Sequence, residues 1–208
     1  TGDQKESIRI NLLPLPARYK LVPINYYYTV ANIIVNRGCP NQCSFCSRTK
    51  LFPVARIRPI KEVFKELDYV LSCNNYKFVN FYDNINVNHK YFNHFLDGLI
   101  YRDMPLPWGA ELRADVLTEA EAEKLKKANC QLVATGIESA SVEVLRKNFK
   151  FQNPNKVKRG ISFLKKAGIA IQAYFIIGLP GDTIENFHKT LNYAKNLSFE
   201  PNRDRVNF

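Results

Sequence analysis

Two hydrophobic periods alternate along this chain from residue 30 onward. Residues 30–36 are a near-continuous apolar run, the pattern of a buried strand. Ile60, Val63, Phe64, Leu67, Val70 and Leu71 then recur at helical spacing, after a Pro59 suited to the first position of a helix that runs to about residue 72. The alternation repeats. Strands are predicted at 77–82, 108–112, 132–137 and 169–177, with a sixth beginning somewhere in 199–208. Between them lie helices at 91–99, with Phe92, Phe95, Leu96 and Leu99 on one face, and at 118–128, opened by the capping box Thr118-Glu119-Ala120-Glu121. Further helices are predicted at 142–148, at 154–167 with Gly168 closing it, and at 182–197, capped by Asp182-Thr183.

Strands alternating with helices predict a parallel sheet in an α/β fold. Five or six such units fall short of a closed eight-stranded barrel of ~250 residues, and an open doubly wound sheet satisfies the same pattern. Either architecture places its ligand at the C-terminal ends of the strands. Cys39, Asp83, Arg113, Glu138 and Gly178 all fall at or just after a predicted strand end, and so belong at one mouth. Residues 1–29 read as an extension or linker to a core of residues 30–208. A short strand is predicted at 8–13, Pro14, Pro16 and Pro23 then interrupt any helix, and three tyrosines follow at 26–28.

Composition refines this picture. The chain has 208 residues, 46% hydrophobic and 12% aromatic, enough for a substantial core. No apolar run is long enough to span a bilayer. The N-terminus carries no basic-then-apolar signal segment, and the first residue is Thr1 rather than Met, which leads us to expect a piece of a longer, cytoplasmic protein. Thirty basic residues oppose nineteen acidic ones, a formal charge of +11, which raises nucleic acid as a partner. Lys61, Lys65, Lys124, Lys126, Lys156 and their like, however, occupy polar helix positions, the pattern of solvated faces. A basic surface also suits acidic small molecules or an acidic neighbouring domain.

Candidate chemistry concentrates in Arg37-Gly38-Cys39-Pro40-Asn41-Gln42-Cys43-Ser44-Phe45-Cys46. Three of the five cysteines lie within these residues, spaced Cys-x3-Cys-x2-Cys, directly after the first strand. Clustered thiols at a strand end suggest a metal centre. Three ligands on a four-iron cubane leave one iron open to a substrate or cofactor. Structural zinc needs a fourth ligand, which would have to come from Cys73, Cys130 or a distant His. An odd number of cysteines without a secretory signal argues against disulfides.

This spacing, with an aromatic residue before the last Cys, resembles the radical S-adenosylmethionine (radical SAM) superfamily. The resemblance continues through Phe81-Tyr82-Asp83-Asn84, Gly136-Ile137-Glu138-Ser139 and Gly178-Leu179-Pro180-Gly181-Asp182-Thr183. The wording is most like the branch whose members carry an upstream cobalamin-binding domain. The resemblance favours a partial (β/α)6 TIM-like barrel of parallel strands. It implies that Cys39, Cys43 and Cys46 ligate a [4Fe–4S] cluster, and that the methionyl amino and carboxylate groups of S-adenosylmethionine occupy the fourth iron. Reductive cleavage would then yield a 5′-deoxyadenosyl radical for hydrogen abstraction.

The resemblance places Phe45 beside the adenine and Asp83 and Asn84 at the methionyl amino group. Arg113 is placed at the carboxylate or, alternatively, in a salt bridge with Glu111, Asp115 or Glu138. Glu138 and Ser139 are placed at the ribose, with Lys150 nearby, and Ile177 and Gly178 against the adenine. The implied partners are an electron donor of flavodoxin or ferredoxin type and an upstream cobalamin domain supporting methyl transfer. A methylthiotransferase-like enzyme acting on tRNA or protein, and a non-catalytic metal-binding module for nucleic acid, are the alternative readings.

Overall fold

The structure, a computed structural model, describes residues 15–16, 29–73, 75–82 and 84–208. The extension expected at 1–29 lies almost wholly outside the described residues. The chain forms β1 (Val30–Ile34), β2 (Asn36–Arg37), α1 (Arg48–Leu51), β3 (Arg56–Ile57), α2 (Ile60–Ser72), β4 (Phe78–Tyr82) and α3 (His89–Tyr101). It continues through β5 (Trp108–Glu111), α4 (Glu119–Lys127), β6 (Cys130–Glu138), α5 (Val142–Lys147), α6 (Pro154–Lys166), β7 (Ala170–Phe175), α7 (Ile184–Asn196) and β8 (Arg205–Asn207). Short 3-10 turns at Ile85–Val87 and Ala114–Val116 follow β4 and β5.

Six strands form one sheet in the order β1-β4-β5-β6-β7-β8, and every neighbouring pair is parallel. The order never reverses. Right-handed crossovers therefore put all the helices on one face, and the sheet curls around the other. A doubly wound sheet reverses its order at a switch point, so this topology decides for the barrel-type α/β fold. Among the described residues β1 and β8 are both edges, and the barrel is open between them.

The strands alternate buried and accessible residues, as in Val30–Ile34 and Ala170–Phe175. Parallel strands covered on both faces are apolar throughout, so this alternation marks a concave face open to ligands. The helix-covered face holds the core. There Phe81, Phe95 and Trp108 meet edge to face, with centroids 4.9 to 6.0 Å apart. The indole N–H of Trp108 donates to the carbonyl of Ala128 at 2.6 Å, which satisfies the one polar atom of this cluster.

The first predicted strand, 30–36, is shorter than expected. It stops at Ile34, and β2 instead pairs antiparallel with β3. This small ribbon closes the neck of the cysteine loop. The neck turns at Gly38, whose φ is +86°. A Cβ there would lie 2.8 Å from the carbonyl oxygens of Phe52 and Val54, so only glycine fits. The pairing is non-local and two residues long, too little to leave a periodic signal in the sequence.

Candidate functional site

Parallel strands gather their C-terminal ends along one rim. Cys39, Cys43, Cys46 and Phe45 from the loop after β2, Asn84 after β4, Arg113 after β5 and Glu138 at the end of β6 line one cavity of about 310 Å3. Seven residues from four stretches widely separated in sequence are thus brought together. Asp83 lies outside the described residues. Ile177 and Gly178 line a different, shallow depression of about 430 Å3 with Ile184 and Phe187. Ser139 is buried behind the rim. Its hydroxyl lies 3.3 Å from that of Thr190 and accepts from the Ser141 N–H at 3.1 Å, so it faces α7.

The cysteine loop is pinned from several sides. Asn41 donates its amide N–H to Cys39 Sγ at 3.3 Å. The Cys46 N–H donates to the Cys43 carbonyl at 3.1 Å, and Thr49 Oγ1 donates to the Cys46 carbonyl at 3.0 Å. Ser44 is tied to Asn148 twice: its N–H donates to the Asn148 carbonyl at 3.1 Å and its hydroxyl to Asn148 Oδ1 at 2.9 Å. Asn148 is fully buried, and its own amide donates to the Pro180 carbonyl at 2.9 Å. One side chain therefore joins the cysteine loop to the loop after β7. Nothing in the sequence around Asn148, a residue at the end of a short helix, marks it for this task.

All three cysteines of the loop are free and partly accessible. Burial pushes the Cys43 thiol up, and the neighbouring Cys39 and Cys46 sulfurs add to this while Lys150 and Arg113 oppose it. A crowded trio of thiols between two cations is a donor set suited to a cationic metal centre. Among the described residues, no three His, Cys, Asp or Glu side chains converge where a single ion would sit. A cubane has no such requirement, because each thiolate binds its own iron. The remaining cysteines are elsewhere. Cys130 is buried at the start of β6, at the opposite end of the strand from the mouth, and Cys73 at the end of α2 donates to the Tyr69 carbonyl at 3.2 Å.

Glu138 is aimed into the mouth by backbone irregularity. The register between β6 and β7 shifts between Gly136 and Glu138, and Glu138 itself has a φ of +63°. A non-glycine residue held there costs ~1–3 kcal/mol, and such strain concentrates at ligand sites. Lys150 Nζ bonds Glu138 Oε1 at 2.8 Å and the Gly136 carbonyl at 2.9 Å. A Cβ on Gly136 would come 2.2 Å from Glu138 Oε1, so this glycine makes room for the ion pair.

Arg113 is fixed by its neighbours. Nε and Nη2 donate in parallel to Asp115 at 2.9 and 2.7 Å, Nη2 also to the Phe151 carbonyl at 2.8 Å, and Nη1 to Asn41 Oδ1 at 2.8 Å. Of the salt-bridge partners weighed from the sequence, Asp115 is the one used. Burial alone would lower the guanidinium pKa, but the Asp115 hydrogen bond and charge carry it above its ordinary value. Glu111 pairs instead with Arg48 on α1, at 3.0 Å.

An open, six-stranded parallel barrel with three free loop thiols at its mouth points to an α/β enzyme built around a metal centre. Residues 33–194 match the Radical SAM superfamily, and the chain belongs to it. Over 181 residues it is 33% identical to the anaerobic magnesium-protoporphyrin IX monomethyl ester cyclase of Rubrivivax gelatinosus, covering 86% of this chain and 32% of that protein. It is 30% identical over 173 residues to the bacteriochlorophyllide d C-12(1)-methyltransferase of Chlorobaculum tepidum, covering 80% of this chain and 38% of that one. Among solved structures, the radical S-adenosylmethionine methyltransferase TsrM from Kitasatospora setae, with cobalamin and a [4Fe–4S] cluster bound, matches in fold. The TM-score is 0.72 at 18% identity, over 82% of this chain and 33% of that chain. The chain thus spans about a third of the length of these proteins.

Among the described residues, no helix is long and apolar enough to cross a membrane.

Proposed function

We propose that this chain holds a [4Fe–4S] cluster on Cys39, Cys43 and Cys46 and binds S-adenosylmethionine in the adjoining cavity. The observation that carries this reading is the convergence of the three free thiols, Asn84 and the Glu138–Lys150 pair on one cavity at the strand ends. The chemistry supplied there is one-electron reductive cleavage of the sulfonium, giving methionine and a 5′-deoxyadenosyl radical that abstracts hydrogen from a substrate.

The protein's own part is to position and to shield. Phe45 offers a ring face to the adenine. Glu138, fixed by Lys150, accepts hydrogen bonds from the ribose hydroxyls, with Ser139 bracing the turn that carries it. Asn84, together with Asp83, serves the methionyl amino group, since an ammonium in a dry site requires acceptors. Arg113 has no parallel pair of N–H groups left for a second carboxylate, because Asp115 holds Nε and Nη2 while the Phe151 carbonyl and Asn41 take the end formed by Nη2 and Nη1.

The methyltransferases among the similar proteins support methyl transfer, and the cobalamin bound in the TsrM structure supports a cobalamin domain outside this chain. An electron donor of flavodoxin or ferredoxin type completes the system in a reducing compartment.

Anaerobic reconstitution, followed by dithionite reduction with S-adenosylmethionine and assay for 5′-deoxyadenosine, tests the reading. We expect about four irons per chain and cofactor cleavage, both lost in Cys43→Ala. Tightly held zinc without cleavage would overturn it.

A further inference from the structure

The polar groups beneath Cys39 form a chain whose direction is fixed. Arg113 can only donate hydrogen bonds. Its Nη1 contact at 2.8 Å therefore requires the oxygen of the Asn41 amide, and the NH2 group must face Cys39 Sγ, 3.3 Å away. The usual ambiguity of an asparagine amide does not arise here.

Arg113 is itself held at both side chain and backbone. Asp115 grips its fork at 2.9 and 2.7 Å. The fully buried Asn86 holds its backbone, accepting from the Arg113 N–H at 2.9 Å and donating to the Arg113 carbonyl at 2.8 Å. Four groups in series, from Asp115 through Arg113 and Asn41 to Cys39, thus deliver one N–H to one sulfur.

We infer that Arg113 and Asn41 are positioning residues that hold a hydrogen bond on the Cys39 sulfur and thereby raise the reduction potential of a cluster ligated there. Reduction adds negative charge to a cluster and its thiolates. An N–H directed at a ligand sulfur stabilises the reduced state more than the oxidised one. The fixed cation behind the amide polarises that N–H and adds to the effect. This role also accounts for a guanidinium at the mouth whose fork is spent on a neighbouring residue.

The inference rests on the proposed ligation of a cluster by the three cysteines, so iron and sulfide are counted first. The parent chain is reconstituted alongside Asn41→Ala and Asn41→Asp, and midpoint potentials are read by redox titration followed by electron paramagnetic resonance. A parent that takes up no cluster removes the ligation reading, and this one with it. With the cluster present, we expect Asn41→Ala to hold the same iron and to be about tenfold harder to reduce. For a one-electron couple that is a fall of ~59 mV.

Asn41→Asp, which turns a carboxylate oxygen towards the sulfur, is expected to fall further. Arg113→Lys keeps the charge but loses the fork to Asp115. It is expected to lower the potential when Asn41 is present and to add nothing in the Asn41→Ala background. Unchanged midpoints in both Asn41 variants, with full iron content, would overturn the inference and leave the cluster assignment standing.

Discussion

Asn148 shows how one residue can hold a site together. It is fully buried, it receives the Ser44 hydroxyl, and it donates to the Pro180 carbonyl. Ser44 and Pro180 lie at the surface, so replacing Asn148 with Ala hands that hydroxyl and carbonyl to water and removes two half-buried hydrogen bonds, ~0.5–1.5 kcal/mol each. We expect Asn148→Ala to lower the denaturation midpoint and, because Ser44 adjoins Cys43, to reduce iron uptake on reconstitution. Full iron uptake with lowered stability would confine Asn148 to a purely structural role. Legibility in the sequence differs residue by residue. Cys39, Cys43 and Cys46 were readable because their chemistry lies in their type and local spacing. Asn41 and Asn148 were not, because an asparagine acquires its role from partners 72 and 104 positions away. Arg113 was readable as a site residue at a strand end, but whether its fork would meet a ligand or Asp115 depended on rotamers set by packing.

At the scale of elements, the helices and central strands followed their hydrophobic periods closely, and the capping box at Thr118 and Glu121 formed as its spacing predicts. What the periods left out were the small pieces that shape the mouth: the β2–β3 ribbon, α1 and the two 3-10 turns. These are too short to carry a period, and contacts with the rest of the fold hold them. The closest approach involves the turn after β5. A Cβ on Gly160 of α6 would lie 1.9 Å from the carbonyl oxygen of Ala114, a backbone atom that cannot swing aside. Gly160→Ala therefore has to push α6 away from the turn that immediately follows Arg113. We expect a loss of ~1–3 kcal/mol, read from thermal or denaturant unfolding, despite the better helix propensity of alanine. A neutral or stabilising result would mean that the helix and turn can separate without cost.

Two half-buried phenols tie helices to neighbouring loop and helix backbone. Tyr91 on α3 donates to the Arg58 carbonyl at 2.8 Å, and Tyr193 on α7 donates to the Pro154 carbonyl at 2.6 Å. Burial pushes both phenols upward, opposed at Tyr91 by the Arg58 charge. With folded values above the unfolded one of about 10, the unfolded chain loses these protons first as the pH rises. Their contribution is therefore complete below about pH 10 and is lost above it. We expect the urea midpoint to fall above that pH, and to fall less steeply in Tyr91→Phe and Tyr193→Phe; identical slopes in both variants would assign the alkaline loss to other groups. By itself the sequence determined the α/β class, the order of the elements, the thiol triplet and the rim on which the site would lie, because periodicity and motif spacing are local properties of a chain. Only the tertiary structure decided between an unreversed six-stranded open barrel and a doubly wound sheet, which depends on where each crossover returns. It alone also set Ser139 behind the rim, moved Ile177 and Gly178 to a separate depression, and turned Arg113 towards Asp115 and Asn41, since those outcomes follow from packing between residues far apart in sequence.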